Sequence, residues 1–137
     1  MIVRENLSIK LEDAEKVAQL LRDILEIESD IDRGKEHFWV IGLDLKNRVL
    51  FVDLCSLGTL DRNLVHPREV FRLAVNKGVA RIIVGHNHPS GDPEPSHADI
   101  TLTERLAKAG DILGISLLDH VIIGHDSFVS LAERRYL

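Results

Sequence analysis

The sequence predicts a single α/β domain in which a mixed β-sheet lies between helices, and three observations support this fold class. The 137 residues are close to the common size of one domain and are enough for a single well-buried core. Segments with helical periodicity alternate with short apolar runs of strand length. The chain contains no repeat, no low-complexity segment and no linker long enough to separate two domains.

The first half of the chain predicts one helix and a group of strands. Apolar side chains recur on one face at helical spacing over residues 11–27, which indicates an amphipathic helix. Residues 28–35 lack periodicity and contain a glycine, so we expect a loop there. The apolar run 37–44 predicts a strand, and residues 49–56 predict a second strand that returns antiparallel after a short turn. Residues 58–65 predict a third short strand.

The middle of the chain has clear helix boundaries. Pro67 suits the first position of a helix and Gly78 suits a left-handed cap, so the sequence predicts a helix over residues 66–78. Residues 80–88 follow as a strand with an apolar centre. Such a strand is typically buried on both faces.

The last third of the chain is predicted to contain one helix and two closing strands. A loop rich in proline and glycine leads into a helix over residues 96–114, which ends at Gly110 or Gly114. Residues 115–124 and 126–131 have the apolar composition of strands. Along the chain, helices thus alternate with strands, as expected for one sheet with helices packed against it.

Composition excludes several classes of function. The formal net charge of −5 argues against direct binding of nucleic acid, which relies on Lys and Arg to neutralise phosphates. Cys55 is the single cysteine, so neither an intrachain disulfide nor a cysteine-based zinc cluster is available. The N-terminus carries acids where a signal peptide needs an apolar core, and no apolar run approaches the ~20 residues of a membrane span. We therefore expect a cytoplasmic protein without a membrane segment.

Two histidines at the end of the strand over residues 80–88 begin the candidate site. Side chains alternate along a strand, so His86 and His88 point to the same face and can share one ion. Asp99 lies in the first turn of the next helix, after a loop that can fold it back. Two imidazoles and one carboxylate form a three-ligand set typical of a catalytic zinc, with a fourth position left for water. The helix dipole helps to keep Asp99 ionised.

Simpler interpretations exist for each of these residues. Ser96 and Asp99 fit a capping box at the start of a helix, which needs no metal. A single histidine at a strand end is usually just a hydrogen-bonded side chain. The joint pattern of two alternating histidines, a turn-rich loop and an S-x-x-D helix start nevertheless favours a metal site.

A hydrolytic zinc site also needs a base, which deprotonates the bound water and later protonates the leaving group. Glu36, immediately before the strand over residues 37–44, is the candidate. Spacing alone does not separate it from Glu26 or Glu28, and a solvated charge at the strand edge is the simpler interpretation.

These residues together resemble a known motif. Glu36, followed by H-x-H-P-x6-S-x-x-D over residues 86–99, resembles the JAMM (MPN+) metalloprotease motif without a gap or substitution. The surrounding sequence is similar to the bacterial RadC-like branch over residues 30–137. The resemblance implies one RadC-like JAB/MPN domain with the cytidine-deaminase-like α/β fold, spanning residues 1–137, in which residues 1–29 form an N-terminal helical extension.

The resemblance also implies roles for individual residues. His86, His88 and Asp99 would ligate one zinc ion. Glu36 would be the general acid and base, and Ser96 would donate a hydrogen bond to the scissile carbonyl oxygen as its charge develops. The implied function is that of a zinc-dependent metallopeptidase or isopeptidase, in which a zinc-bound water activated by Glu36 attacks an amide bond of a peptide or isopeptide substrate.

Other functions compete with this one. A metal-containing binding module of the RadC-like family, whose name carries a DNA-repair association, would have little or no hydrolytic activity. An HNH nuclease spreads its named residues over tens of positions rather than a contiguous tripeptide. A nucleobase deaminase needs H-x-E with P-C-x-x-C, which the single Cys55 excludes. Exposed sheet edges could support a homodimer.

His120 also lies in an apolar run, and a structural histidine is the default interpretation. The sharper alternative is that it orients a ligand imidazole or faces the substrate.

Overall fold

The computed structural model describes residues 1–58 and 65–137. The described residues form six strands and five helices. The strands are β1 (Ile2–Glu5), β2 (Glu36–Leu43), β3 (Val49–Gly58), β4 (Arg81–Asn87), β5 (Ser116–Ile123) and β6 (Phe128–Ser130). The helices are α1 (Ala14–Ile27), α2 (Asp30–Arg33), α3 (Pro67–Val70), α4 (Arg72–Lys77) and α5 (His97–Leu113).

All six strands lie in one sheet, in the order β1-β3-β2-β4-β5-β6. The neighbours β4 and β5 are parallel and are joined by α5, whereas the other neighbouring pairs are antiparallel. The predicted mixed sheet flanked by helices is thus confirmed. A loop joins the end of β4 to the start of α5, and the C-terminal end of β4 and the first turn of α5 lie close together at one end of the strands.

Helices cover both faces of the sheet and pack against it in the two larger of the three hydrophobic clusters that the described residues form. The first core packs α1 against the sheet, and the second packs α3, α4 and α5 against the opposite face. Strand β2 contributes to both because its side chains alternate: Trp39 and Ile41 belong to the first core, Phe38 and Val40 to the second. All four side chains are fully buried, and each such burial stabilises the fold by roughly 1.5–3 kcal/mol.

Several predicted boundaries are confirmed by local hydrogen bonding and backbone conformation. Helix α1 ends at Ile27 as predicted but begins at Ala14 rather than at residue 11, after Asp13, whose side chain accepts a hydrogen bond from the backbone of the first turn. Pro67 occupies the first turn of α3, and Gly78 ends α4 at φ 68°. Helix α5 runs through Gly110 and stops at Gly114, which adopts φ 73°. Only a residue that tolerates the left-handed region ends a helix in this way without strain.

Three features differ from the predictions. Strand β1 was not predicted, because its side chains are largely exposed and carry little apolar signal; it pairs with β3, and the N-terminal amine lies 2.6 Å from Asp53. Residues 28–35 contain α2, which Ser29 caps by accepting from the backbone of Asp32. The helix predicted over residues 66–78 is interrupted at Phe71.

The first two differences have related physical causes. Strand β1 and helix α2 are specified by sheet pairing and capping rather than by hydrophobic periodicity. The segment predicted as a helical extension therefore contains a strand as well as a helix. The strand predicted over residues 58–65 lies outside the described residues, apart from Gly58 at the end of β3 and Val65.

Candidate metal centre

His86 and His88 lie on one face at the C-terminal end of β4. His86 is fully buried between neighbours of β2 and β5 in the sheet. His88 follows the last strand residue, and its backbone N–H still donates to Ile123 at 3.0 Å, which continues the strand direction. The Nε2 atoms of the two histidines are 2.9 Å apart. The alternation predicted from the sequence thus brings both imidazoles to one point.

Asp99 reaches the same point from the first turn of α5. Its carboxylate lies 3.4 Å from Nε2 of His86 and 3.1 Å from Nε2 of His88. The capping box is also present: Oγ of Ser96 accepts from the Asp99 N–H at 3.1 Å, and Asp99 accepts from the Ser96 N–H at 2.9 Å. The structural and the metal-binding interpretations of Asp99 are therefore compatible, because the cap fixes the carboxylate beside the histidines.

The geometry of this group fits a zinc ion. Ligand atoms about 2.0–2.1 Å from a tetrahedral zinc lie roughly 3.3 Å from one another. The two Nε2 atoms are 2.9 Å apart, and each lies near a different oxygen of Asp99, His86 at 3.4 Å from Oδ1 and His88 at 3.1 Å from Oδ2. The other nitrogen of His88, Nδ1, lies 2.8 Å from the carbonyl oxygen of Asp92. A carbonyl accepts only, so Nδ1 carries the proton and Nε2 presents its lone pair to the site.

The charge state of Asp99 suits a ligand. In the metal-free protein, burial raises the pKa of Asp99, but hydrogen bonds from His86 and from Ser96, with the charge of His86, outweigh burial and hold the pKa well below its ordinary value. The carboxylate is therefore ionised at neutral pH, as metal binding requires.

Glu36 is brought to the histidines by the register of the sheet. Phe38 lies opposite His86 in the antiparallel ladder between β2 and β4. Two residues earlier on β2, Glu36 falls opposite His88 and points to the same face. A carboxylate oxygen of Glu36 and one ring nitrogen of each histidine all lie within 4.8 Å of one another, so these three side chains could also hold a metal ion. Of the three glutamates that spacing left open, Glu36 is the one the fold places here.

His120 was assigned a structural role by default, but it contacts a candidate ligand. Its ring is fully buried, and its Nε2 lies 2.7 Å from Nδ1 of His86. Its Nδ1 lies 2.7 Å from the hydroxyl of Thr103, which donates to the backbone carbonyl of Asp99. Burial lowers the pKa of His120 well below its ordinary value, so the ring is neutral. Sequence reasoning missed Thr103, although its spacing of four from Asp99 on a helix was an available signal.

An open groove of about 400 Å³ adjoins His88, and Glu36, His86 and Asp99 are not among the residues that line it. Its walls come from α1, α2 and the turn between β5 and β6, and they mix both signs of charge, including Arg22, Glu26 and Arg33. His97, one residue after the cap, is exposed and does not belong to the cluster.

None of the helices in the described ranges is long and apolar enough to cross a membrane. The fold and the convergent side chains define an α/β domain with a candidate metal centre at the C-terminal end of β4. A family model for the RadC-like JAB domain matches residues 11–136. The chain belongs to this family, which confirms the predicted family and fold.

The chain is similar to several proteins that are named as members of the UPF0758 family. The chain is 56% identical over 97 residues to a UPF0758 protein of Desulforudis audaxviator, covering 71% of this chain and 42% of that protein. It is 50% identical over 103 residues to a UPF0758 protein of Caldanaerobacter subterraneus, covering 75% and 44%. A UPF0758 protein of Methanococcoides burtonii is 52% identical over 103 residues, covering 75% and 45%. The chain thus spans less than half the length of these curated relatives.

Proposed function

We propose that this domain is a zinc-dependent hydrolase that cleaves an amide bond of a peptide or isopeptide substrate. One observation carries the proposal: two imidazole nitrogens and a carboxylate converge within 3.4 Å, with the carboxylate of Glu36 beside them. Membership of the JAB domain family supports it. A three-ligand set with a neighbouring carboxylate is the arrangement that hydrolytic zinc sites use.

The ligands in this proposal are His86, His88 and Asp99. We prefer Asp99 to Glu36 as the third ligand because Asp99 is almost fully buried and is fixed by the capping box. Glu36 is only half-buried at the beginning of its strand, which suits a group that must exchange protons. When bound, zinc supplies a Lewis acid that polarises the scissile carbonyl and lowers the pKa of water.

Glu36 acts as the general base and then as the general acid. Its carboxylate takes a proton from the attacking water as the new C–O bond forms. The same proton is then delivered to the leaving nitrogen as the C–N bond breaks, which releases a neutral amine and regenerates the carboxylate.

Ser96 stabilises the charge that develops on the carbonyl oxygen. Its Oγ already accepts a hydrogen bond from the Asp99 backbone N–H. A hydroxyl can accept and donate at the same time, so the hydrogen of Ser96 stays available for the substrate. The side chain is exposed at the mouth of the site, which allows a carbonyl to approach it.

The proposal is tested by separating metal binding from hydrolysis. Zinc content of the purified protein is measured by elemental analysis, and cleavage is followed by mass spectrometry on a library of peptides and isopeptide-linked peptides. We expect one zinc per chain in the wild type. Glu36→Gln is expected to keep that zinc while lowering cleavage by about 10²–10⁴-fold.

Glu28→Gln is the matched control, because Glu28 is also half-buried and precedes the same strand; it should leave zinc and cleavage unchanged. Zinc-free wild-type protein, or equal cleavage by Glu36→Gln and the wild type, would overturn the proposal. Zinc-loaded protein that cleaves no member of the library would instead favour the metal-containing binding module.

A further inference from the structure

We propose that His120 and Thr103 are positioning residues that fix the proton of His86 on Nδ1, so that Nε2 of His86 faces the metal. The inference rests on the proposed metal site and explains how one of its ligands is held in the binding-competent form. It follows from the geometry of a buried chain of hydrogen bonds and from the number of protons that each member carries.

The two candidate histidine ligands differ in how they are supported. Nδ1 of His88 faces the carbonyl oxygen of Asp92, which can only accept a hydrogen bond. Nδ1 of His86 faces Nε2 of His120 at 2.7 Å. An imidazole nitrogen can donate or accept, so this contact alone allows two proton arrangements. Only the arrangement in which His86 donates leaves its Nε2 with a lone pair for a metal.

Thr103 removes the ambiguity. Its Oγ1 lies 2.7 Å from the backbone carbonyl oxygen of Asp99 and 2.7 Å from Nδ1 of His120. The carbonyl has no proton, so the threonine hydroxyl must donate to it. Since that hydroxyl has one hydrogen, it must accept from His120, which therefore carries its proton on Nδ1.

The remaining assignments follow from the first. His120 is fully buried, where a second proton would bring an unpaired charge out of water. With its one proton on Nδ1, the ring presents a lone pair at Nε2, and His86 donates its Nδ1–H to it. The Thr103 hydroxyl thus sets which atom donates and which accepts in each of the three hydrogen bonds between His86 and the Asp99 carbonyl.

The chain of bonds also couples two candidate ligands. It begins at the ring of His86 on β4 and ends on the main chain of Asp99 in α5. His86, Thr103 and His120 are fully buried, and Asp99 is 4% exposed. Solvent therefore cannot easily replace a lost partner, so the removal of one member disturbs the others.

The proton positions are tested directly by long-range ¹H–¹⁵N NMR of ¹⁵N-histidine-labelled wild-type protein, both metal-free and zinc-loaded. We expect the spectrum to place the proton of His120 on Nδ1, and a proton on Nδ1 of His86, in both forms. A proton on Nε2 of His120 would overturn the inference. This measurement needs no substrate and no variant.

The role toward the metal is tested with a matched pair at position 103. Thr103→Val keeps the shape of the side chain without the hydroxyl, whereas Thr103→Ser keeps the hydroxyl. Zinc dissociation constants are measured by competition with a chromophoric chelator. We expect Thr103→Val to weaken zinc binding by about 10–100-fold and to give a mixture of His120 tautomers, as is typical when a group that orients a ligand is lost. Thr103→Ser should remain within about threefold of the wild type, well short of that typical loss.

The outcomes separate this inference from the proposed function. Wild-type protein that binds no zinc would overturn the metal site itself. Zinc binding by the wild type and equally tight binding by Thr103→Val would overturn only the positioning role. Loss of binding in Thr103→Ser as well as in Thr103→Val would show that packing rather than the hydroxyl is responsible, and would also overturn it.

Discussion

Nδ1 of His86 lies 2.7 Å from Nε2 of His120 in a contact from which solvent is excluded. The two residues belong to adjacent parallel strands, β4 and β5, whose pairing requires the intervening helix α5. The same helix supplies Asp99 through its capping box. Helix α5, which connects the parallel strands β4 and β5, therefore also helps to assemble the candidate site: it supplies Asp99, and the strand that follows it carries His120, the partner of His86.

Zinc is expected to stabilise the folded protein. A ligand that binds only the native state at about 100 times its dissociation constant adds roughly 2.7 kcal/mol. For a chain of this size we expect an increase in Tm of about 5–12 °C, measured by differential scanning calorimetry with and without zinc. His88→Ala should abolish the increase. His97→Ala, which changes an exposed histidine near the site, should retain it; loss of the increase in both variants would contradict the assignment of His88.

Ser96→Ala is expected to reveal two separate effects of one hydroxyl. Loss of the helix cap should destabilise the fold by about 1 kcal/mol, measured by urea unfolding. Loss of the donor to the carbonyl should lower kcat, measured on zinc-saturated protein, by about 10²–10³-fold. Ser29→Ala is the matched control, since it removes the cap of α2 outside the metal cluster. It should destabilise without the loss of kcat, and equal kcat values for the two variants would exclude a catalytic role for Ser96.

The sequence predicts the parts of the site that follow from local rules. Alternation along β4 places His86 and His88 on one face, and the capping pattern places Asp99 in the first turn of a helix. The choice of Glu36 needed the register between β2 and β4, which joins residues fifty positions apart and has no local signature. The contact between His120 and His86 depends in the same way on the pairing of β4 with β5.

The elements that the sequence missed are those stabilised by long-range or polar contacts. Strand β1 is held at the sheet edge by pairing with β3, and α2 depends on the cap at Ser29. Neither has the apolar periodicity that predicted the other elements. Hydrophobic patterning thus predicted the elements that form the main cores. Backbone pairing and capping hydrogen bonds determine β1 and α2, which the pattern did not predict.

The metal-free protein is expected to lose stability in acid partly through Asp99. Its pKa in the folded protein is depressed, so its ionised form is favoured by folding, and the stability it contributes is fully present above about pH 5. That contribution falls as the pH drops through about 4 and below, where the unfolded chain takes up the proton first. Urea unfolding between pH 3 and pH 7, a range that includes the ordinary Asp pKa of about 4, should show a shallower decrease of stability with falling pH for Asp99→Asn. Identical slopes for the variant and the wild type would contradict the depressed pKa.

Gly91→Ala is expected to weaken metal binding from outside the ligand set. Gly91 adopts φ 93°, and a methyl group there would lie 2.7 Å from the ring of His125. Its N–H donates to the backbone carbonyl of His88, and the next residue, Asp92, accepts from the His88 ring. A substitution should therefore strain the turn by about 1–3 kcal/mol and move the carbonyl that orients His88.

We expect Gly91→Ala to raise the zinc dissociation constant by about 10-fold or more, the lower end of the range for lost ligand support. Ser90→Ala is the control, because Ser90 is exposed in the same turn and its hydroxyl accepts a long, weak hydrogen bond of 3.4 Å from the Asp92 N–H. It should bind zinc as the wild type does. Wild-type affinity in Gly91→Ala would show that the turn tolerates the methyl group and that His88 is oriented without it. Weakened binding in Gly91→Ala alone would place the conformation of this glycine among the determinants of the metal centre, since the turn it allows is what presents the Asp92 carbonyl to His88.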